Sequence, residues 1–149
     1  MTFKQKIYNT FLQNLDDKIN AYQLSLDELR ESVMNETKST AGDKHETALA
    51  MLQTEQSQIA RRMLDAIDAK KTFSQLDITE QNSVIKNGCL ARTNSGYFFM
   101  GVALPKIIVE GVTVVAISPD SPLGALLMGM YAGDEVIMNN VTHRIEEIV

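Results

Sequence analysis

The spacing of apolar residues in the first half of the chain constrains its fold more than any other feature. From Phe3 to Val33 an apolar or aromatic residue recurs every three or four positions, in a stretch without glycine or proline. This is the spacing of a helix face that packs along one partner. The members of this first series are Phe3, Ile7, Phe11, Leu15, Ile19, Tyr22, Leu26, Leu29 and Val33.

A second series with helical spacing follows between Leu49 and Phe73. Its members are Leu49, Leu52, Gln56, Ile59, Met63, Ala66, Lys70 and Phe73. Apart from Ala41, residues 35–42 between the two series are polar, β-branched or glycine, which is typical of a loop. The sequence therefore predicts an antiparallel helical hairpin, a coiled coil over residues 1–75 with its tip near residues 36–46.

The second half of the chain has the patterning of β-strands. Residues 76–83 are polar and aperiodic and predict a linker, and residues 84–149 form a second predicted domain. Its predicted strands, separated by turn sequences, are Leu90–Thr93, Tyr97–Ala103, Lys106–Val109, Val112–Ile117, Glu135–Met138 and Val141–Val149. Ser121 as N-cap, Pro122 at the first helical position and Gly129 at the end predict one short helix. The expected class is α+β, with an antiparallel sheet.

Composition limits the partners and the location of the chain. The net charge is −5 and the Lys and Arg residues form no cluster, so no independent nucleic-acid binding is expected. No apolar run reaches the roughly 18 to 20 residues that span a bilayer, and the first residues are too polar for a signal peptide, so we expect a cytoplasmic protein with no membrane contact. Cys89 is the one cysteine, which excludes a disulfide framework, and we expect it to be a buried packing residue.

Residues 117–136 carry a specific order of a Ser-Pro-x-Ser-Pro turn, a short apolar helix, a glycine, and Gly-Asp before a strand. This order resembles the signature of the C-terminal domain of the transcript-cleavage factors GreA and GreB. The resemblance implies an FKBP-like fold for residues 84–149, and docking on RNA polymerase at the rim of its secondary channel. The positions to which it assigns docking are Ser118, Pro119, Ser121, Pro122, Leu123, Gly129, Gly133 and Asp134.

The predicted tip is similar to the same family at a second place. Family members carry Gly-Asp-Leu-Lys-Glu-Asn there, and this chain has the run Gly42-Asp43-Lys44-His45-Glu46-Thr47. By this resemblance Asp43 and Glu46 are the catalytic, metal-holding pair. They would complete a Mg²⁺ site of RNA polymerase near the 3′ end of the transcript, and bind the ion only in that complex. Mg²⁺ often takes one or two protein carboxylates, and residues three apart share a helix face.

Other interpretations of the same residues stay open. Asp43 followed three positions later by Glu46 is also a capping-box pattern, which satisfies backbone N–H groups at the start of a helix. His45 is expected to be an exposed polar residue. The chain as a whole also fits a non-cleaving regulator of the polymerase secondary channel, or a coiled-coil interaction protein.

An FKBP-like fold also raises prolyl isomerase activity as an alternative. That activity needs a cavity lined by aromatic residues. The second half offers only four aromatic residues, Tyr97, Phe98, Phe99 and Tyr131, and no tryptophan.

Overall fold

A computed structural model describes residues 1–38 and 43–149, and the side chains of Asp43 and Lys44 lie outside the described part. The chain divides into two compact units. The hairpin unit is Asn14–Lys70, and the sheet unit combines Met1–Gln13 with Lys71–Val149. These boundaries differ from the predicted domains 1–75 and 84–149, and the independent folding of residues 84–149 stays a prediction.

Both predicted helices are present, and both are longer than the apolar series. Helix α1 is Phe3–Thr37 and helix α2 is Asp43–Ser74. Helix α1 therefore includes residues 35–37, which were expected in the loop. The Thr37 hydroxyl donates to the Val33 carbonyl within this last turn. The rest of the expected loop, residues 39–42, lies outside the described residues. No helix in the described ranges is long and apolar enough to cross a membrane.

The hairpin unit confirms the predicted apolar faces. Leu15 and Ala66 are buried, and the other members of the two series in this unit are half-buried. Lys70 Nζ lies 2.5 Å from Asp16 Oδ1, where the hairpin unit begins in α1 and ends in α2. At the other end of the unit, His45 in α2 approaches Glu36 in α1. The two helices are therefore antiparallel, as predicted.

The sheet unit holds six strands, in the spatial order β3-β4-β2-β1-β6-β5. The strands are β1 Leu90–Thr93, β2 Gly96–Met100, β3 Leu104–Val109, β4 Val112–Ile117, β5 Glu135–Met138 and β6 Val141–Ile148. Two-residue turns join β3 to β4 at Glu110-Gly111 and β5 to β6 at Asn139-Asn140, and all four residues have positive φ. This is the turn geometry expected of tight hairpins.

One strand pair corrects the predicted antiparallel sheet, since β2 and β4 are parallel. The expected single strand Tyr97–Ala103 ends at Met100, and the chain passes through residues 101–103 to β3. Strand β3 lies at the sheet edge and carries Pro105, which an edge strand tolerates because it needs no second ladder of hydrogen bonds. Strand β4 is antiparallel to β3 and lies between β3 and β2, where it pairs in parallel with β2.

Hydrophobic side chains cover both faces of the sheet. Phe98 and Phe99 are neighbours in β2 and point to opposite faces. Phe98 belongs to a buried cluster with Leu127 of the short helix α3, which is Pro122–Leu127. Phe99 lies against Phe11 and Phe73, with ring centroids 6.0 and 5.5 Å apart. The ends of α1 and α2 that belong to the sheet unit thus pack on the face opposite to α3.

Candidate docking turn and helical tip

The turn before α3 is held by one serine side chain. Ser121 Oγ donates to the Ser118 carbonyl oxygen at 2.7 Å and accepts from the Gly124 N–H at 3.0 Å. Pro122 follows as the first helical residue, where its missing N–H leaves no hydrogen bond unmade. The predicted N-cap is therefore confirmed, and the turn is fixed by hydrogen bonds within itself.

Close approach of the backbone explains the glycine in this short helix. A Cβ atom on Gly124 would lie 1.9 Å from the Ser118 carbonyl oxygen and 2.8 Å from Ser121 Oγ. Real Cβ atoms are essentially never closer than 3.0 Å to such a neighbour. Only glycine therefore fits between the turn and the helix, and this constraint does not appear in the pattern of apolar residues.

The later docking positions also serve the fold. Gly129 has φ +79°, which ends α3 as predicted, and its N–H donates to the Ile85 carbonyl at 2.8 Å. Asp134 Oδ2 accepts from the Tyr131 N–H at 2.8 Å, and the Gly133 N–H donates to the Ile145 carbonyl at 2.7 Å. These groups orient the chain between α3 and β5.

Exposed apolar side chains lie beside these structural positions. Leu126 in α3 is 39% exposed and Tyr131 after it is 57% exposed, whereas Leu123 packs partly against the core cluster. Leu126 lies between the predicted docking positions Leu123 and Gly129, whereas Tyr131 was not among the predicted docking positions. Because they are apolar and accessible, they are better placed to touch a partner than the serines and glycines that hold the turn.

At the tip, α2 begins at Asp43, so Asp43 and Glu46 lie in its first turn. The Glu46 side chain is exposed, and that of Asp43 lies outside the described residues. A capping box places its first residue before the helix and its glutamate at the third helical position. Here Asp43 is itself helical, and the pair lies one position further into the helix than a capping box requires.

His45 corrects an expectation, because its side chain is only 20% exposed. Its Nδ1 atom lies 3.4 Å from Glu36 Oε1, and makes no hydrogen bond to any described group. The two form an ion pair only when the imidazole is protonated. Sequence spacing gave no sign of this contact, because the two residues belong to different helices.

The remaining candidates have structural roles. Cys89 is fully buried, as expected, and burial raises the pKa of its thiol. Phe98 and Phe99 are buried in the two faces of the sheet, so they do not line the aromatic cavity that a prolyl isomerase requires. In the described ranges, no group of three or more His, Cys, Asp or Glu is arranged to hold a metal ion.

Comparisons with known proteins give a distant likeness to a solved structure. No protein-family model and no curated protein matches the chain. Among solved structures, the chain is similar to the transcription factor Gfh1, with 18% identity and a TM-score of 0.35, over 93% of this chain and 92% of that one. A likeness at this level assigns neither a fold family nor an activity.

Proposed function

We propose that the chain is a Gre-like transcription elongation factor of the cytoplasm. In this proposal, the sheet unit binds RNA polymerase at the rim of its secondary channel through the turn at residues 118–124 and the exposed side chains beside it. The tip of the hairpin unit then presents Asp43 and Glu46 to the catalytic Mg²⁺ of the polymerase, and so helps the enzyme to cleave backtracked transcripts.

The observation that carries the proposal is the position of Asp43 and Glu46 in the first turn of α2. Residues three apart lie on one helix face, so two carboxylates are available to one ion. The second support is the turn itself, since Ser121 caps α3, Pro122 is its first residue, and Gly129 after its end has the positive φ that the sequence predicted. The motif therefore corresponds to a real turn and helix.

The donor set fits a shared magnesium ion better than a resident one. Mg²⁺ keeps several waters and is commonly held by one or two carboxylates together with substrate phosphates. Two carboxylates are too few to form a dedicated site, but enough to complete one that another protein holds incompletely. When bound there, the ion activates water for phosphodiester hydrolysis.

The test replaces both carboxylates by their amides, in the double variant Asp43→Asn with Glu46→Gln. Each amide has nearly the shape of the carboxylate that it replaces, and substitutions at a helix surface change stability little, so the free energy of unfolding should change by less than about 1 kcal/mol. Neutral amides lack the anionic oxygens that hold Mg²⁺. We expect an unchanged melting temperature, retained polymerase binding, and loss of stimulated cleavage in a backtracked complex.

The matched control is Glu55→Gln with Asp65→Asn, which makes the same change of charge at exposed positions of α2 away from the tip. It should stimulate cleavage like the parent. If the tip variant also stimulates cleavage, Asp43 and Glu46 serve only the helix end. If the parent binds polymerase without stimulating cleavage, the chain is instead the non-cleaving channel regulator.

A further inference from the structure

Two polar side chains meet between the helices at the tip end of the hairpin unit. His45 in the first turn of α2 and Glu36 in the last turn of α1 bring Nδ1 and Oε1 to 3.4 Å, and the two side chains are only 20% and 29% exposed. The Nδ1 atom is buried and makes no hydrogen bond to any described group. An unbonded buried polar atom is costly, so a small movement that closes this pair to hydrogen-bond distance is favourable.

Each of these residues lies on the face of its helix that packs against the other helix. Glu36 follows Val33 by three positions and His45 precedes Leu49 by four, so both continue the apolar series of their helices. Both are half-buried like the series, whereas Glu46 beside His45 is exposed. The seam between the two helices, formed by the two series, therefore ends in a polar pair at the tip, and only the structure shows that the two residues meet.

A residue in the seam fixes the rotation of its helix turn about the helix axis. Successive helical residues are about 100° apart, so positions 46 and 43 lie about 100° and 160° around α2 from position 45. Both positions therefore lie outside the seam whenever His45 lies within it. The contact of His45 with Glu36 thus determines which side of the tip carries positions 43 and 46.

The first turn of α2 depends on such a contact more than the rest of the helix does. The first four N–H groups of a helix lack partners within the helix, so a terminal turn frays readily. Positions 43 and 46 belong to this turn. The ion pair of Lys70 with Asp16 lies at the opposite end of the hairpin unit, too far away to support it.

We propose that His45 is a positioning residue, whose contact with Glu36 holds the first turn of α2 in the rotation that keeps positions 43 and 46 outside the seam. This purpose rests on the proposed function, in which Asp43 and Glu46 serve one Mg²⁺ of the polymerase. An ion shared with another protein needs both carboxylates on an accessible face. His45 itself touches neither the ion nor the transcript in this role.

The first measurement is amide hydrogen exchange of the whole chain, read by fragmentation mass spectrometry at residues 47–49, whose N–H groups bond to the carbonyls of the first turn. His45→Ala and Glu36→Ala each remove one side chain of the pair, and we expect each to raise this exchange rate about two- to fivefold, the factor that a partly exposed ion pair supplies. The matched control is Glu31→Ala, at an exposed glutamate of α1, which should exchange like the parent. If neither variant of the pair raises the rate, the contact does not hold the turn and the proposal is overturned.

The second measurement is stimulated transcript cleavage at saturating concentrations of the chain. A misplacement of about 1 Å costs up to about 100-fold in rate, so both alanine variants should lower the maximal rate at least about threefold, with unchanged affinity for polymerase. The double variant His45→Leu with Glu36→Leu should restore both the rate and the exchange, because an apolar pair also closes the seam.

The outcomes separate this proposal from the proposed function. If the double leucine variant exchanges like the parent but cleaves as slowly as the alanine variants, His45 acts directly on the reaction and positioning is wrong. If the alanine variants exchange faster but reach the maximal rate of the parent, the contact only stabilises the helix end and positioning is again wrong. If the parent itself stimulates no cleavage, the proposed function fails, and the exchange rates alone decide whether His45 and Glu36 hold the turn.

Discussion

Substitution of Gly124 by alanine tests the account of the docking turn most directly. The new Cβ would lie 1.9 Å from the Ser118 carbonyl oxygen, whereas ordinary contact begins at 3.4 Å, so the two must separate by about 1.5 Å. That movement breaks the hydrogen bonds of Ser121 that cap α3. Overpacking lowers the free energy of unfolding by up to about 3 kcal/mol, and loss of the cap lowers it by about 1 kcal/mol. The higher helix propensity of alanine raises it by about 1 kcal/mol.

The expected net loss is therefore about 3 kcal/mol of the free energy of unfolding, measured by urea denaturation followed by circular dichroism. The matched control is Gly129→Ala. A Cβ there has no neighbour within 4 Å, and only the φ of +79° opposes it, at about 1 kcal/mol. If Gly124→Ala is no more destabilising than Gly129→Ala, the close approach of the turn to α3 does not exist in solution.

Two further predictions concern the core of the sheet unit. Phe73→Ala should cost about 3 to 5 kcal/mol, because Phe73 is fully buried against other aromatic rings, whereas Leu64→Ala, 59% exposed in the same helix, should change stability by less than about 0.5 kcal/mol. Equal urea midpoints for the two variants would contradict this packing. The Cys89 thiol should react with an aromatic disulfide reagent only as fast as the protein opens, because burial raises its pKa and blocks access. Immediate colour development with the native protein would show that Cys89 is accessible.

Periodicity predicted the helices well, because one face of each helix must be apolar over its whole length. The same periodicity also contained a signal that the sequence interpretation missed. Lys4 lies three residues before Ile7, in register with Ile7, Phe11 and Leu15, and all four are buried. A charged residue on an apolar helix face is easily assigned to the solvent, since long side chains usually reach it. The burial of Lys4 therefore became apparent only from the structure, in which its amine contacts Val149.

The features that the sequence did not predict depend on contacts between residues that are far apart along the chain. The parallel pairing of β2 with β4 places β4 between β2 and the edge strand β3, and no local pattern encodes this order. The approach of His45 to Glu36 requires two helices in a particular alignment. By contrast, the Ser121 cap was predictable, because its chemistry involves only the next three residues.

The sheet unit is built from the two ends of the sequence, and this determines when it can form during synthesis. Lys4 bonds to a residue 145 positions later, and β6 is an interior strand between β1 and β5. All residues of the hairpin unit have been translated by Lys70, long before β6 exists. The apolar side chains of Ile7, Phe11 and Phe73 therefore stay exposed to solvent in the nascent chain until the strands have been synthesised. Slow translation of residues 84–149 would prolong this interval, and with it the exposure of the nascent chain to aggregation and to chaperones.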